Sequence, residues 1–151
     1  MSEFDKNISE RFAERLCDLM QENRTDVEQI AHDLHLNPSA LYKWVRKVSV
    51  PNFENAIYIA DYFRCSLDYL FGLKDIEAQY APHAPAQSFD KHFCAVLAEK
   101  KVTEYRLVKQ TGISRSKIAA WRKGTSLPSL HSLILVATAL DISLDSLVGR
   151  I

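Results

Sequence analysis

Apolar side chains recur along the chain at intervals of three and four residues, with polar side chains between them. This spacing places the apolar side chains on one face of an α-helix, so each such segment predicts a helix with one buried side. The pattern restarts after short polar, proline-containing or glycine-containing breaks, which predicts an all-α protein built from short helices. The predicted helices are Ile8–Met20, Val27–Leu34, one through Leu41 and Trp44, Phe53–Phe63, Ser66–Phe71, Phe89–Lys100, Thr103–Gln110, Ser114–Lys123, Leu130–Leu140 and Ser143–Val148.

The same pattern occurs twice, with a shift of 77 residues and no gap. Over the 61 positions from 12 to 72, 14 residues are identical to their counterparts in the second copy. Trp44 matches Trp121, and both are predicted to anchor a core because they fall on the apolar face of a helix. An internal repeat of this length predicts two similar domains of about five helices each. We expect a first domain at 1–73, a linker containing Pro and Ala at 74–87, and a second domain at 88–151.

The net charge of zero hides an uneven distribution of charged side chains. Residues 1–75 hold nine Lys and Arg against thirteen Asp and Glu, a net charge of −4, whereas residues 76–151 hold ten against six, a net charge of +4. In the segment 88–125 the imbalance is larger, with nine basic and three acidic side chains. A positive surface of this kind favours a polyanionic partner such as nucleic acid.

Other classes of function find little support. No apolar run approaches the roughly 18 residues of a membrane span, and the N-terminus does not resemble a signal peptide, so we expect a cytoplasmic protein without membrane association. Cys17 and Cys94 occupy equivalent places beside apolar residues and are predicted to be buried thiols. His32 and His35 lack a third ligand nearby, and no catalytic motif is present. We therefore expect an all-α protein that is not an enzyme, with no catalytic residue, metal or cofactor.

A short basic helix is predicted near the C-terminal end of the chain. Ile118 and Trp121 share one face of this helix, while Arg115 and Lys117 spread across the other faces. Gly124 suits the left-handed residue that ends a helix. One side of the helix is therefore expected to be buried, and the other to remain exposed and positive.

The residues around this helix follow a longer pattern at fixed spacing, which covers nearly all of 88–149. The pattern comprises Gly112-Ile113, Ser114-Arg115-Ser116, Ile118, Trp121, Lys123-Gly124, Pro128-Ser129 and the segment 142–147. It resembles the phage-repressor (Cro/repressor, or XRE) class of helix-turn-helix proteins. The first copy is similar, but has His35 and Lys47 where the second copy has glycine. The resemblance implies two tandem lambda-repressor-like DNA-binding domains of five helices each.

In that family the third helix enters the major groove of double-stranded DNA, with its first residues at the base edges. Carried over by position, the resemblance implies that Arg115, Ser116 and Lys117 face base edges, with Ala120 near a thymine methyl group or a sugar. Arg115 is the strongest candidate for base readout, because a guanidinium can bond a guanine edge through two donors at once.

Phosphate contacts are implied for Lys123 and Ser126, which lie at and beyond the end of the same helix. Thr103 is expected to cap the preceding helix and to leave backbone N–H groups for a phosphate. Many family members open that helix with a glutamine, but Val27 and Glu104 stand at the matching positions here. Glu104 is expected to repel phosphate unless a lysine or an arginine neutralises it.

In the first copy, the residues implied to face DNA are Ser39, Tyr42, Lys43 and Arg46. The two cations lie toward the end of the third helix, where contacts with the DNA backbone occur, and no charged residue stands at its start. Acidic side chains on the preceding helix also oppose a polyanion. The sequence leaves open whether the first copy contacts DNA.

Three hypotheses follow. The leading one is a sequence-specific DNA-binding transcriptional regulator in which the second copy is the main DNA reader. In the second hypothesis only the second copy binds DNA, and the acidic first copy mediates homodimerisation or binds a protein partner. In the third, the protein is an antitoxin or anti-repressor type of interaction protein that does not touch DNA, although the positive charge of the second copy argues against this.

Overall fold

A computed structural model describes residues 3–75 and 84–151. The chain divides into two compact units, Met1–Gln79 and Tyr80–Ile151. Every regular element in the described residues is an α-helix, which confirms the predicted all-α fold. Most of the predicted linker at 74–87 lies outside the described residues, so its bounds stay a prediction.

Helices of 4 to 20 residues form the first domain. They are α1 (Glu3–Glu22), α2 (Val27–Leu34), α3 (Pro38–Val45), α4 (Phe53–Tyr62) and α5 (Leu67–Leu70). Helix α3 packs against both α1 and α2, and α5 returns to α1. In the core, the ring of Phe12 stacks on Phe71 at a centroid distance of 4.9 Å and meets the edge of Trp44 at 6.1 Å. Burial of these rings holds α3 against α1.

The second domain repeats this arrangement. Its helices are α6 (Phe89–Lys100), α7 (Glu104–Thr111), α8 (Arg115–Lys123), α9 (Leu130–Leu140) and α10 (Leu144–Val148). Helix α8 packs against α6 and α7, and α10 packs against α6 and α9. Phe93 meets Trp121 at a centroid distance of 6.3 Å and stacks on Phe89 at 5.3 Å. Both tryptophans are buried, which confirms their predicted role as core anchors.

The helices after the first in each domain begin at a polar residue whose side chain accepts a backbone N–H of the first turn. Such a cap satisfies a donor that has no partner inside the helix. The capping residues fall in equivalent pairs, which are Asp26 and Thr103, Asn37 and Ser114, Asn52 and Ser129, and Ser66 and Ser143. The repeat therefore extends from the apolar positions to the helix starts.

The turns also repeat, because in the described residues the left-handed backbone positions form equivalent pairs. These pairs are Arg24 and Lys101, His35 and Gly112, Lys47 and Gly124, Arg64 and Asp141, and Gly72 and Gly149. A residue other than glycine pays roughly 1–2 kcal/mol in this conformation. His35 and Lys47 therefore carry this cost in the first domain, whereas the second domain has glycine at the equivalent turns.

The predicted burial of the two equivalent cysteines is wrong. Cys17 is exposed and Cys94 is partly exposed. The buried face of α1 contains Phe12, Leu16 and Leu19, which are spaced four and three residues apart, and Cys17 falls beside that face. The thiol of Cys94 lies at the edge of its domain and donates to the backbone oxygen of Arg122 over 3.6 Å.

A buried ion pair closes the second domain. Arg150 Nη1 donates to Asp145 Oδ1 at 2.5 Å, and the two side chains are 1% and 0% exposed. In the first domain the equivalent carboxylate, Asp68, lies 3.8 Å from Lys74 Nζ, whose side chain is 62% exposed.

No helix within 3–75 and 84–151 is both long enough and apolar enough to cross a membrane. The same residues contain no group of three or more His, Cys, Asp or Glu side chains arranged to hold a metal ion.

Candidate nucleic-acid interface

The basic helix predicted from the sequence is α8, and its two faces differ as expected. Ile118 and Trp121 are buried against the rest of the second domain. Arg115, Ser116 and Lys117 lie at the start of the helix and are exposed. The helix therefore turns two cations and a hydroxyl toward solvent at the end that would enter a groove.

The start of α8 is fixed by its own cap. Ser114 Oγ accepts from the backbone N–H of Lys117 at 3.4 Å and lies 3.3 Å from Ser116 Oγ. This arrangement holds the first turn, so the side chains of Arg115 and Lys117 start from a fixed backbone.

The end of α8 carries the remaining candidates of the second domain. Ala120 is partly buried, and its backbone oxygen accepts from Thr125 Oγ1 at 3.3 Å. Lys123 and Ser126 are exposed on either side of Gly124, which has a φ of 78°. Lys123 and Ser126 are thus accessible to a phosphate, whereas Ala120 offers only part of its methyl group.

Thr103 caps α7, as predicted, since its Oγ1 accepts from the backbone N–H of Arg106 at 3.1 Å. The hydroxyl is therefore engaged within its own helix. Earlier N–H groups of the first turn have no acceptor inside a helix, and they are the donors that an anion would use.

Glu104, the first residue of α7, lies between two arginines of α8. Arg122 Nη1 donates to Glu104 Oε1 at 2.6 Å, and Arg115 Nε lies 3.5 Å from Oε2. The hydrogen bond from Arg122 is the largest cause that lowers the pKa of Glu104. The expected repulsion between Glu104 and phosphate depended on the lack of a neighbouring cation, and two guanidinium groups supply that neutralisation.

Arg122 was missed as a partner of Glu104 because the two residues are far apart in sequence. The spacing of the arginines in the sequence nevertheless indicates this contact. Arg115 and Arg122 are seven residues apart, so they lie on the same face of α8 two turns apart. A carboxylate that faces one of them from α7 is therefore able to reach the other.

The third helix of the first domain offers a different surface. Pro38 and Ala40 stand at its start, at the positions that Arg115 and Lys117 occupy in the second domain. Ser39 donates through both its N–H and its hydroxyl to Asn37 Oδ1, at 3.0 and 2.9 Å. These groups are therefore already bonded within the cap of α3.

Tyrosines of the first domain pair with the acidic side chains of α2. Tyr42 Oη donates to Glu28 Oε1 at 3.0 Å, and this hydrogen bond raises the pKa of Tyr42. Tyr62 Oη donates to Asp33 Oδ2 at 2.7 Å, and this hydrogen bond is the largest cause that lowers the pKa of Asp33. The carboxylates of α2 thus meet phenol groups, whereas the carboxylate of Glu104 meets arginines.

The cations predicted to face DNA in the first domain remain accessible. Lys43 and Arg46 are exposed on the later part of α3 and at its C-cap. The neighbouring Lys47 lies 3.9 Å from Glu14 Oε1. The exposed positive charge of this helix is therefore concentrated at its end, away from the residues that would read bases.

Two protein families match the chain. The family described as Cro/C1-type HTH DNA-binding domain matches residues 94–151, and the family described as Helix-turn-helix matches residues 16–70. The cryptic phage CTXphi transcriptional repressor RstR of Vibrio cholerae serotype O1 (strain ATCC 39315 / El Tor Inaba N16961) is 35% identical over 48 residues, which are 32% of this chain and 43% of that repressor. The match thus spans less than half the length of the relative. No solved structure matches the chain.

The matched segments contain the helix pairs α2–α3 and α7–α8, the later helices of each domain, and the C-terminal parts of α1 and α6. Residues 16–70 and 94–151 therefore form two helix-turn-helix domains in tandem, and the second matches the Cro/C1 type. This is the phage-repressor class that the sequence resembled, so that prediction is confirmed.

Proposed function

We propose that the protein is a sequence-specific DNA-binding transcriptional regulator whose second domain is the main DNA reader. The observation that carries this proposal is the exposed start of α8, where Arg115, Ser116 and Lys117 face solvent while Trp121 is buried. In a helix-turn-helix domain this is the part of the third helix that reaches base edges in the major groove.

Within this proposal, Arg115 and Lys117 contact base edges and Ser116 adds a hydroxyl beside them. Arg115 contributes most to sequence choice, because its planar fork matches the two acceptors of a guanine. Ala120, which is only partly buried, meets a thymine methyl group or a sugar through its methyl group.

Phosphates on either side of the groove are held by Lys123, by Ser126 and by the backbone N–H groups in the first turn of α7, which Thr103 caps. Such contacts fix the register of the protein on the duplex and raise affinity for all sequences alike. They also make binding depend on salt, since each neutralised phosphate releases counterions.

The first domain contributes contacts with the DNA backbone through Lys43 and Arg46 and little base readout. This assignment is supported by the absence of charge at the start of α3 and by the internal hydrogen bonds of Ser39 and Tyr42. The same two observations favour an alternative role, in which the first domain mediates homodimerisation or binds a protein partner.

Selection of bound sequences from a pool of random duplexes tests the proposal. We expect the intact chain to enrich one sequence, and the Arg115→Ala variant to lose the preference at one base pair of it. The Lys43→Ala/Arg46→Ala variant is expected to enrich the same sequence with lower affinity. If the intact chain enriches no sequence at low salt, the proposal is wrong.

A further inference from the structure

Glu104, Arg115 and Arg122 form a cluster that links the two helices of the motif in the second domain. Arg122 takes one oxygen of the carboxylate at 2.6 Å, and Arg115 faces the other oxygen at 3.5 Å. The side chain of Glu104 is 19% exposed, whereas that of Arg115 is 76% exposed. The carboxylate therefore sits between the helices, and the guanidinium of Arg115 extends from it into solvent.

The atoms that make the contact matter for base readout. The contact between Arg115 and the carboxylate runs through Nε, which lies 3.5 Å from Oε2 of Glu104. A guanidinium carries a single N–H on Nε and four on the two Nη atoms. A contact through Nε consequently leaves the donor pair at the end of the fork available for the two acceptors of a guanine.

The shorter bond from Arg122 keeps Glu104 in place. Without it, a lone Glu104–Arg115 pair on the surface would be free to change rotamer, as exposed ion pairs commonly do. With one oxygen held at 2.6 Å, the second oxygen stays directed at Arg115. Two guanidinium groups against one carboxylate also leave the cluster with a net positive charge, which suits a nearby phosphate.

The first domain lacks all three members of the cluster. Val27, Pro38 and Val45 stand at the positions equivalent to Glu104, Arg115 and Arg122. The three positions therefore differ together between two domains that otherwise share their caps and turns. Because Glu104 and Arg115 are present together in one domain and absent together in the other, their roles are expected to be connected.

From this geometry we infer that Glu104 is a specificity-determining positioning residue, which orients the fork of Arg115 for a guanine edge. The inference rests on the proposed function, since it concerns the same helix and the same base contact. Glu104 acts through Arg115 and does not itself contact a base.

Glu104→Gln in the intact chain tests this role, with Glu99→Gln as the matched control. Both variants remove one negative charge from the second domain, but Glu99 lies exposed on α6, on a helix that carries no member of the cluster. The probe is the enriched duplex, compared with the same duplex in which the guanine sensed by Arg115 is replaced by adenine. The measured quantity is the dissociation constant for the adenine duplex divided by that for the enriched duplex. A random-sequence duplex serves as a third probe.

We expect Glu104→Gln to lower this ratio by about five- to tenfold, part of the discrimination that a bidentate arginine supplies. Affinity for the random duplex should hold or rise, because a negative charge is lost. Glu99→Gln should leave the ratio unchanged. In an Arg115→Ala background, Glu104→Gln should lower the ratio no further, which a merely structural role for Glu104 would not produce.

Three results would overturn the inference while leaving the proposed function intact. One is a ratio that stays within twofold in Glu104→Gln. Another is an equal loss in Glu99→Gln, which would assign the effect to net charge. The third is a further loss when Glu104→Gln is added to Arg115→Ala. If instead the intact chain enriches no sequence, the proposed function itself fails before Glu104 is tested.

Discussion

The two domains have the same arrangement of helices, caps and turns, but their third helices expose different side chains. Caps and left-handed turns fall at equivalent positions in both, although His35 replaces a glycine in the first. At the start of the third helix, however, the second domain exposes Arg115 and Lys117 where the first has Pro38 and Ala40. The buried, capping and turn positions therefore carry the frame that the two domains share, and the exposed start of the third helix is where they differ.

The interiors also differ in one respect that the repeat does not reveal. Phe12 and Phe89 are identical in the alignment of the two copies, yet Trp44 meets Phe12 and Trp121 meets Phe93. Phe93 is one helical turn beyond Phe89, on the same face of its helix. Each core therefore places a phenylalanine edge-on against its tryptophan, but in the second domain this phenylalanine comes one helical turn later than in the first.

The largest difference that we expect between the domains concerns their closing ion pairs. Arg150→Ala removes the buried guanidinium that pairs with the carboxylate of Asp145, and should lower the stability of the second domain by about 3–5 kcal/mol. Lys74→Ala removes an exposed partner of Asp68 and should cost about 1 kcal/mol or less. Hydrogen exchange of the intact chain, with peptides assigned to each domain, measures both effects, and equal losses of stability would contradict this prediction.

A second prediction concerns matched phosphate contacts. Lys123 and Arg46 occupy equivalent positions in the two domains. Replacement of either by alanine should weaken binding to all duplexes alike and reduce the slope of log affinity against log salt by about 1. The measurement is a salt titration of duplex binding. An unchanged slope in Arg46→Ala would remove the first domain from the DNA and favour its role in dimerisation or partner binding.

The left-handed turn after the second helix supplies a third prediction. His35→Gly should stabilise the first domain by about 0.5–1 kcal/mol, because the relief of backbone strain exceeds the added entropy of the unfolded chain. Gly112→Ala should destabilise the second domain by about 1 kcal/mol through the backbone alone, since no atom lies within 4 Å of the added Cβ. Urea denaturation checks both, and changes of the same sign in the two variants would contradict the prediction.

The smallest effects are in titration. Arg122 lowers the pKa of Glu104, so this carboxylate contributes stability above its ordinary pKa and loses it only as the pH falls through the lowered value. Glu28 raises the pKa of Tyr42, so the stability from that bond is present below the ordinary tyrosine pKa and is lost as the pH rises through the raised one. Carboxylate titration by NMR in Arg122→Ala, and tyrosinate absorbance in Glu28→Gln, should each move toward the ordinary pKa.

Much of the frame could be predicted from the sequence because the signals are local. The predicted segments Phe89–Lys100 and Leu130–Leu140 coincide with α6 and α9. The predicted helix Ser66–Phe71 is present as α5, and Ser66 Oγ accepts from the backbone N–H of Tyr69 at its start. Helix α1 begins at Glu3, ahead of its first predicted apolar position, because Glu3 and Asp5 favour the positive end of the helix.

The details of the site could not be predicted, because they depend on side chains that meet across the turn of the motif. The bond from Arg122 to Glu104 joins residues 18 positions apart, and that from Tyr42 to Glu28 joins residues 14 apart. Periodicity gives the face of a helix but not the partner of a long polar side chain. The exposed Cys17 shows the same limit, since a neighbouring buried residue does not bury it.

We propose that Arg115 reads a guanine in the major groove, and replacing that guanine by 7-deazaguanine is the sharpest test of this contact. This base lacks the N7 acceptor while keeping its pairing. Placed at the position where Arg115→Ala loses its preference, it should weaken binding of the intact chain by about tenfold and binding of Arg115→Ala no further. Equal weakening of both proteins, or of neither, would show that Arg115 does not read this guanine.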